Sequence, residues 1–203
     1  MRRKRTTKPG LRNVSKLDSD FKHRFIGNQK VLASVVRELK RKKQRIVLTQ
    51  GVYDLIHEGH ARYLEAAKAL GDILIVGVDS DRLTRLRKGP NRPVVPQQER
   101  LKMLVHLRHV DIVTIRHAHH EIGDLIRLVR PDVLVTSFST KDFTRKMKKD
   151  YDTYCGRIVT LAPQATTTTS ARIRNLTIEG AEQLANEVQK LTQQFLSGIR
   201  ESS

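Results

Sequence analysis

Five short runs rich in valine, isoleucine and leucine recur along this chain, separated by segments with helical apolar spacing. Strands that are apolar throughout must be covered on both faces, so this alternation predicts a parallel sheet between two layers of helices. The predicted strands are residues 45–49, 73–78, 111–115, 132–136 and 157–161. The predicted helices are residues 29–42, 61–70, 96–108 and 120–129, one beginning near Thr169 or Ser170, and residues 180–199.

Right-handed crossovers between such strands predict an α/β fold with a Rossmann-like, doubly wound, five-stranded parallel sheet of order 3-2-1-4-5. The chain divides into a disordered basic tail at 1–25, a single domain at 26–176 and an amphipathic C-terminal helix at 177–203. Ligands of doubly wound sheets bind beyond the carboxyl ends of the strands, where the strand order reverses. That point lies between the first and fourth strands, so residues 50–60 are the first candidate for chemistry.

Residues 50–60 carry a glycine directly after a strand and two histidines before a helix. Gly51 allows a tight turn and a close approach of the backbone to a ligand. His57 and His60 flank Gly59, which leaves room for a triphosphate, and a helix beginning near residue 58 would offer its N–H groups to phosphate. Paired imidazoles can donate hydrogen bonds to phosphate oxygens, although histidines in a loop can also be merely solvated or bind a metal. The strand before them and the helix after them favour the phosphate interpretation.

Residues 51–60 resemble the Gly-x-Phe-Asp-x-x-His-x-Gly-His signature of the cytidylyltransferase-like nucleotidyltransferase superfamily, with Tyr53 in place of the phenylalanine. The resemblance spans about residues 28–176 and includes residues 61–81, 88–96, 99–101 and 168–174. Within the superfamily, the pattern is similar to the heptose-phosphate adenylyltransferase domain and to glycerol-3-phosphate cytidylyltransferase.

The resemblance implies in-line attack of a substrate phosphate on the α-phosphate of ATP or CTP, with pyrophosphate leaving and no covalent enzyme intermediate. It implies transfer of AMP or CMP to a sugar or polyol phosphate, with Mg²⁺ on the triphosphate and no metal held by the protein alone. It assigns the catalytic positions to His57, His60, Lys88 and Arg100. It assigns nucleotide binding to Gly51, Val52, Tyr53, Asp54, Gly59, Thr168, Thr169 and Ser170.

Several of these residues have a simpler alternative role. Lys88 could be a solvated loop lysine, and Arg100 could form a surface ion pair with an acid such as Glu99. Asp54 could form a turn, and the hydroxyls at 168–170 could cap a helix. Residues 136–142 lack the glycines that relatives carry after the fourth strand, which leaves the acceptor open.

The net charge of +18, from 39 basic and 21 acidic residues, attracts polyanions; it could serve a nucleic-acid or ribosome-like partner, or reflect a basic host proteome together with an anionic substrate. Together with the altered loop at 137–140, this charge motivates an alternative function: a catalytically altered nucleotide-binding protein that contacts nucleic acid or an assembly through its basic surface. Aromatic residues are only 4%, which disfavours a single-strand binder. One cysteine, Cys155, excludes a disulfide framework, and no apolar run reaches the length of a membrane span, so a cytoplasmic protein is expected. The apolar stripe of the last helix could pack on its own domain or form a homodimer.

Overall fold

Five parallel strands form one sheet in the computed structural model, which describes residues 21–119, 121, 123–138, 145–164 and 169–201. The strands are β1 (Ile46–Gly51), β2 (Ile73–Asp79), β3 (Ile112–Arg116), β4 (Val133–Ser137) and β5 (Arg157–Leu161). Their order is β3-β2-β1-β4-β5, with β1 paired in parallel to both β2 and β4. The predicted fold class and strand order are confirmed, and the order reverses between β1 and β4.

Eight helices are present among the described residues. They are α1 (Phe21–Arg24), α2 (Gln29–Arg41), α3 (Glu58–Lys68), α4 (Asp81–Lys88), α5 (Gln97–Val105), α6 (Asp124–Val129), α7 (Arg145–Asp152) and α8 (Thr169–Glu201). The prediction missed α1, α4 and α7. In α4 only Leu83 and Thr84 are buried, so the sequence shows no apolar stripe that would predict the helix. The helix is capped by the Ser80 hydroxyl, which accepts from the Leu83 N–H.

The two faces of the sheet carry separate apolar layers because successive side chains of a strand point to opposite sides. Leu48 and Ile75 pack with α2 and α6, while Val47 and Val76 pack with α3 and α5. Every residue of β2 and β3 is buried, which explains why the sequence reads as near-continuous apolar runs there. The sheet thus holds the carboxyl ends of its strands rigidly in one row.

Residues 21–25 of the segment predicted as a disordered tail at 1–25 are folded. Helix α1 lies at residues 21–24, and the Arg24 guanidinium donates to the carbonyls of Val105 (2.9 Å) and Val110 (3.1 Å). Phe25 then bridges Val113 on the edge strand β3. The prediction is wrong for 21–25 because one arginine anchors the segment to distant carbonyls, which no local pattern reveals. Residues 1–20 lie outside the described residues.

Gly71 lies between α3 and β2, where a glycine commonly ends a helix. The helix instead ends with Ala69 as its C-cap, and Gly71 does not have a left-handed backbone. A Cβ at Gly71 would lie 2.5 Å from the Val47 side chain and 2.7 Å from the Arg45 carbonyl oxygen. Glycine is therefore needed there for close packing against β1 rather than for helix termination.

The chain divides into two compact units, residues 1–165 and 166–203. Within the second unit, α8 is one continuous helix, whereas the sequence predicted two helices and a boundary at 176/177. Along it, the apolar side chains of Leu184, Val188 and Leu191 are exposed. No helix among the described residues is both long and apolar enough to cross a membrane.

Candidate active site

The loop after β1 adopts an uncommon backbone conformation. Tyr53 and Leu55 have φ values of 54° and 44°, in the left-handed region that non-glycine residues rarely occupy. Gly51 is not left-handed, and a Cβ there would lie 3.2 Å from the Tyr53 ring. The tight turn predicted at Gly51 is therefore made by Tyr53 and Leu55. Buried Tyr53 packs against His60, with ring centroids 5.6 Å apart, so the turn fixes the position of that histidine.

Asp54 holds this loop against the segment that precedes α5. Its buried carboxylate accepts from the Arg92 guanidinium (2.9 Å) and from the backbone N–H groups of Val94 (3.0 Å) and Val95 (2.9 Å). Charge-assisted bonds of this kind are among the stronger ones in proteins. The side chain predicted to bind nucleotide is thus engaged by the protein itself, and it orients the loop.

Arg100 joins three segments at the carboxyl edge of the sheet and is only 1% exposed. Its guanidinium donates to the carbonyls of Val52, Val95 (2.9 Å) and Asp79 (2.9 Å), and to the Asp81 carboxylate (2.7 Å). The buried side chain uses four of its five N–H donors on acceptors of the protein itself, while the catalytic role that the resemblance assigns to it stays a prediction. Arg100 is a positioning residue for the loops after β1 and β2.

His57 and His60 meet at the start of α3. His57 is the N-cap, and its Nδ1 accepts from the Gly59 N–H (3.1 Å), while the His57 N–H points to Nδ1 of His60 (3.4 Å). Their ring centroids are 4.2 Å apart. Because both Nδ1 atoms act as acceptors, the hydrogen of each neutral ring sits on Nε2. The two rings thus lie together beside the N-terminal end of a helix dipole that favours anions, with their Nδ1 atoms turned toward the backbone.

Burial lowers the pKa of His60 to about 4; a protonated His57 and the charge of Lys88 act in the same direction, and Asp54 opposes them. His60 is therefore a neutral donor at pH 7. The influence of Lys88 also places its ammonium within electrostatic range of the histidine pair. Lys88 ends α4 and is exposed, with Gly89 (φ 96°) following it in the left-handed region. Three of the four predicted catalytic residues thus belong to one neighbourhood.

A buried ionic cluster that the sequence did not reveal lies at the carboxyl ends of β1, β2 and β3. Arg116 donates to the Gln50 side chain (2.9 Å) and lies 3.4 Å from the Asp79 carboxylate, which Arg87 also contacts. Burial lowers the pKa of Arg116, although Asp79 raises it. The sequence did not predict this cluster, because Arg116 appears there only as a charged residue at the end of an apolar strand.

The hydroxyl segment at 168–170 lies partly outside the described residues. Thr168 lies outside the described residues, and Thr169 and Ser170 form the start of α8 in the second unit. Their assignment to nucleotide binding stays a prediction. After β4, Phe138 is exposed, and residues 139–144 lie outside the described residues.

The model of the cytidylyltransferase-like family matches residues 48–175. This range includes residues 51–60, hereafter the histidine loop, together with Lys88 and Arg100. The chain belongs to the cytidylyltransferase-like family. Membership makes it a nucleotidyltransferase by class. It is 38% identical to bifunctional protein HldE of Desulfatibacillum aliphaticivorans over 142 residues. This aligned region covers 70% of this chain and 29% of that protein. Bifunctional protein HldE of Helicobacter pylori strain G27 is 44% identical over 104 residues, 51% of this chain and 22% of that protein.

This chain therefore spans less than a third of the length of these curated relatives. Among solved structures, it resembles the lipopolysaccharide core biosynthesis protein of Thermoplasma volcanium GSS1, with a TM-score of 0.53 and 27% identity. That match covers 59% of this chain and 98% of the other. A pantoate-beta-alanine ligase from Francisella tularensis also has a TM-score of 0.53, but at 16% identity it supports the fold alone.

Proposed function

We propose that this nucleotidyltransferase transfers AMP or CMP from ATP or CTP to a phosphorylated small acceptor, a sugar or polyol phosphate, and releases pyrophosphate. The observation that carries the proposal is the histidine pair at the start of α3, whose Nδ1 atoms both accept backbone hydrogen bonds, so that an N–H of a neutral ring lies on Nε2. Two such donors beside a helix N-terminus suit an α-phosphate, whose negative charge they can hold in place.

In the proposed reaction, an oxygen of the acceptor phosphate attacks the α-phosphorus. A new P–O bond forms as the bond to the β-phosphate bridging oxygen breaks, and pyrophosphate leaves with that electron pair. His57 and His60 donate hydrogen bonds to the non-bridging α-phosphate oxygens. Lys88, whose charge already influences His60, stabilises negative charge on the departing phosphates. Catalysis of this kind rests on positioning and charge stabilisation.

The surrounding residues would keep these donors in place. Asp54 and Arg100 hold the loop from two sides, and the ring of Tyr53 packs against His60. Their engagement inside the protein supports positioning roles rather than contact with the nucleotide. Preorganised donors cost no rearrangement during the reaction, which is the physical advantage of a rigid site.

Mg²⁺ fits this site as a partner of the triphosphate, where it would neutralise charge. Among the described residues, no group of three His, Cys, Asp or Glu side chains is placed to hold a metal ion. Asp54, the buried carboxylate within residues 51–60, already accepts three hydrogen bonds from the protein. The proposal therefore has the ion bound by phosphate oxygens and water.

A sugar phosphate is the acceptor class that the comparisons favour. One solved structure that resembles the chain across 98% of its own length is a lipopolysaccharide core biosynthesis protein, and such a core is built from sugars. A cytoplasmic location, where nucleoside triphosphates and sugar phosphates are abundant, belongs to the same proposal. The base and the individual acceptor are left to experiment.

Pyrophosphate release from ATP and from CTP, measured with a panel of sugar and polyol phosphates, tests the proposal. We expect release that needs one nucleotide, one acceptor and Mg²⁺, and that a His57→Ala/His60→Ala variant abolishes. Release that survives in this double variant would overturn the assignment of the histidines.

A further inference from the structure

A cavity whose lining does not include the histidine loop lies at the carboxyl ends of β2 and β3. It has a volume of 510 Å³ and lies between α4, the start of α5 and the residues that follow β3. None of its lining residues belongs to residues 51–60. Small-molecule pockets typically measure roughly 300–1,000 Å³, so the space suits a ligand larger than a bare ion.

The walls of this cavity carry a surplus of positive charge. Arg82 and Arg85 stand three residues apart on α4, so their side chains lie on the same face of the helix. The one carboxylate in the lining, that of Asp81, accepts a 2.7 Å hydrogen bond from buried Arg100. Because Arg100 balances Asp81, the two lining arginines are left to set the local potential toward anions.

Two imidazole rings also line the cavity. His117 and His119 follow β3 with their ring centroids 5.6 Å apart and their planes within 5° of parallel. Such rings offer N–H donors to phosphate oxygens and flat faces to a small organic group. A lining that combines guanidinium groups with imidazoles is rich in N–H groups, and arginine forks match phosphate geometry well.

We propose that this cavity is a second anion site, which binds a phosphorylated small molecule independently of the histidine loop. Arg82 and Arg85 supply the charge, and His117 and His119 supply further donors. The ligand is either the acceptor of the transfer reaction or a separate effector. Both sources share the same chemistry, a phosphate group on a small organic body.

The test follows the His117 and His119 resonances by NMR in the full chain during titration with glucose 1-phosphate and with inorganic phosphate at constant ionic strength. The Arg82→Gln/Arg85→Gln variant removes the proposed charge. The Arg37→Gln/Arg108→Gln variant removes the same charge from exposed positions outside the cavity lining. A His57→Ala/His60→Ala variant disables the histidine loop.

We expect saturable shifts for glucose 1-phosphate in the wild type, in the exposed-arginine control and in the histidine-loop variant. Affinity falls about tenfold or more in the Arg82→Gln/Arg85→Gln variant, as loss of charged hydrogen bonds predicts. Equal affinity in that variant, shifts that vanish with the histidine loop, or shifts that never saturate would overturn the proposal.

Kinetics then separate the two sources, and this step alone rests on the proposed transfer reaction. An acceptor site predicts that Arg82→Gln/Arg85→Gln raises KM for the phosphorylated acceptor while kcat at saturation is kept. An effector site predicts unchanged KM and kcat without added effector, together with the same loss of binding by NMR. A chain that transfers no nucleotide but still binds glucose 1-phosphate at His117 and His119 would refute the proposed function and leave this site standing.

Discussion

Replacement of Arg100 tests whether this arginine positions the site or touches phosphate. Arg100→Met keeps the bulk of the stem but removes every donor. The carboxylate of Asp81 loses its 2.7 Å partner, and the carbonyls of Val52, Val95 and Asp79 lose theirs. Breaking a buried ion pair costs about 3–5 kcal/mol, so we expect a loss of about 4 kcal/mol in the free energy of unfolding. A domain has only about 5–15 kcal/mol in total, so the loss is large.

Arg100→Lys keeps a positive charge beside Asp81 but cannot reproduce the several N–H donors of the planar guanidinium. We expect this variant to lose about 2 kcal/mol in the free energy of unfolding. Urea unfolding of the full chain measures both losses, with exposed Arg108→Met as the control, which we expect to change stability by less than about 0.5 kcal/mol. Steady-state kinetics on the Lys variant complete the test. The reasoning is refuted if Arg100→Met unfolds with wild-type free energy while kcat falls about 100-fold, because that pattern marks a transition-state contact.

Three further predictions concern Gly71, His60 and the net charge. Gly71→Ala places a Cβ 2.7 Å from a backbone oxygen and is expected to cost about 1–3 kcal/mol in urea unfolding, whereas Gly180→Ala, which meets nothing within 4 Å, is expected to cost nothing. Because the His60 pKa is lowered from 6.5 to about 4, the unfolded chain takes up this proton first as pH falls, so its contribution to stability is full above pH 6.5 and is lost between 6.5 and 4. Unfolding at pH 7 and pH 5 should show an extra loss of about 1–2 kcal/mol in wild type relative to His60→Asn, and equal losses would contradict the buried histidine. With a net charge of +18, any binding of the full chain to DNA should weaken steeply between 50 and 200 mM salt in a gel-shift titration; salt-independent binding would contradict a purely electrostatic contact.

The sheet could be predicted from sequence because its strands are apolar throughout, and apolar runs report burial directly. All five strands were found within two residues of their ends, β5 without error. Helix α4 was missed because Arg82, Arg85 and Arg87 leave no apolar stripe, and its position comes from the Ser80 cap and from packing of Leu83.

The candidate site was predicted in part. The spacing of His57 and His60 could be interpreted because both rings belong to one helix start, and local geometry brings them together. The positioning role of Arg100 could not be predicted from the sequence, because its acceptor at Val52 is 48 residues away and its burial depends on three converging loops. A sequence shows an arginine in a family position but not which way its guanidinium points.

The direct test of the central claim is a His57→Asn variant assayed for both stability and pyrophosphate release. Asparagine is a good N-cap, so it keeps an acceptor for the Gly59 N–H while it removes the Nε2–H donor. We predict that the free energy of unfolding stays within about 1 kcal/mol while kcat falls by about 100-fold or more, the usual cost of a lost transition-state donor. A His57→Asn enzyme that turns over within about threefold of wild type would contradict the claim that this histidine acts on the α-phosphate.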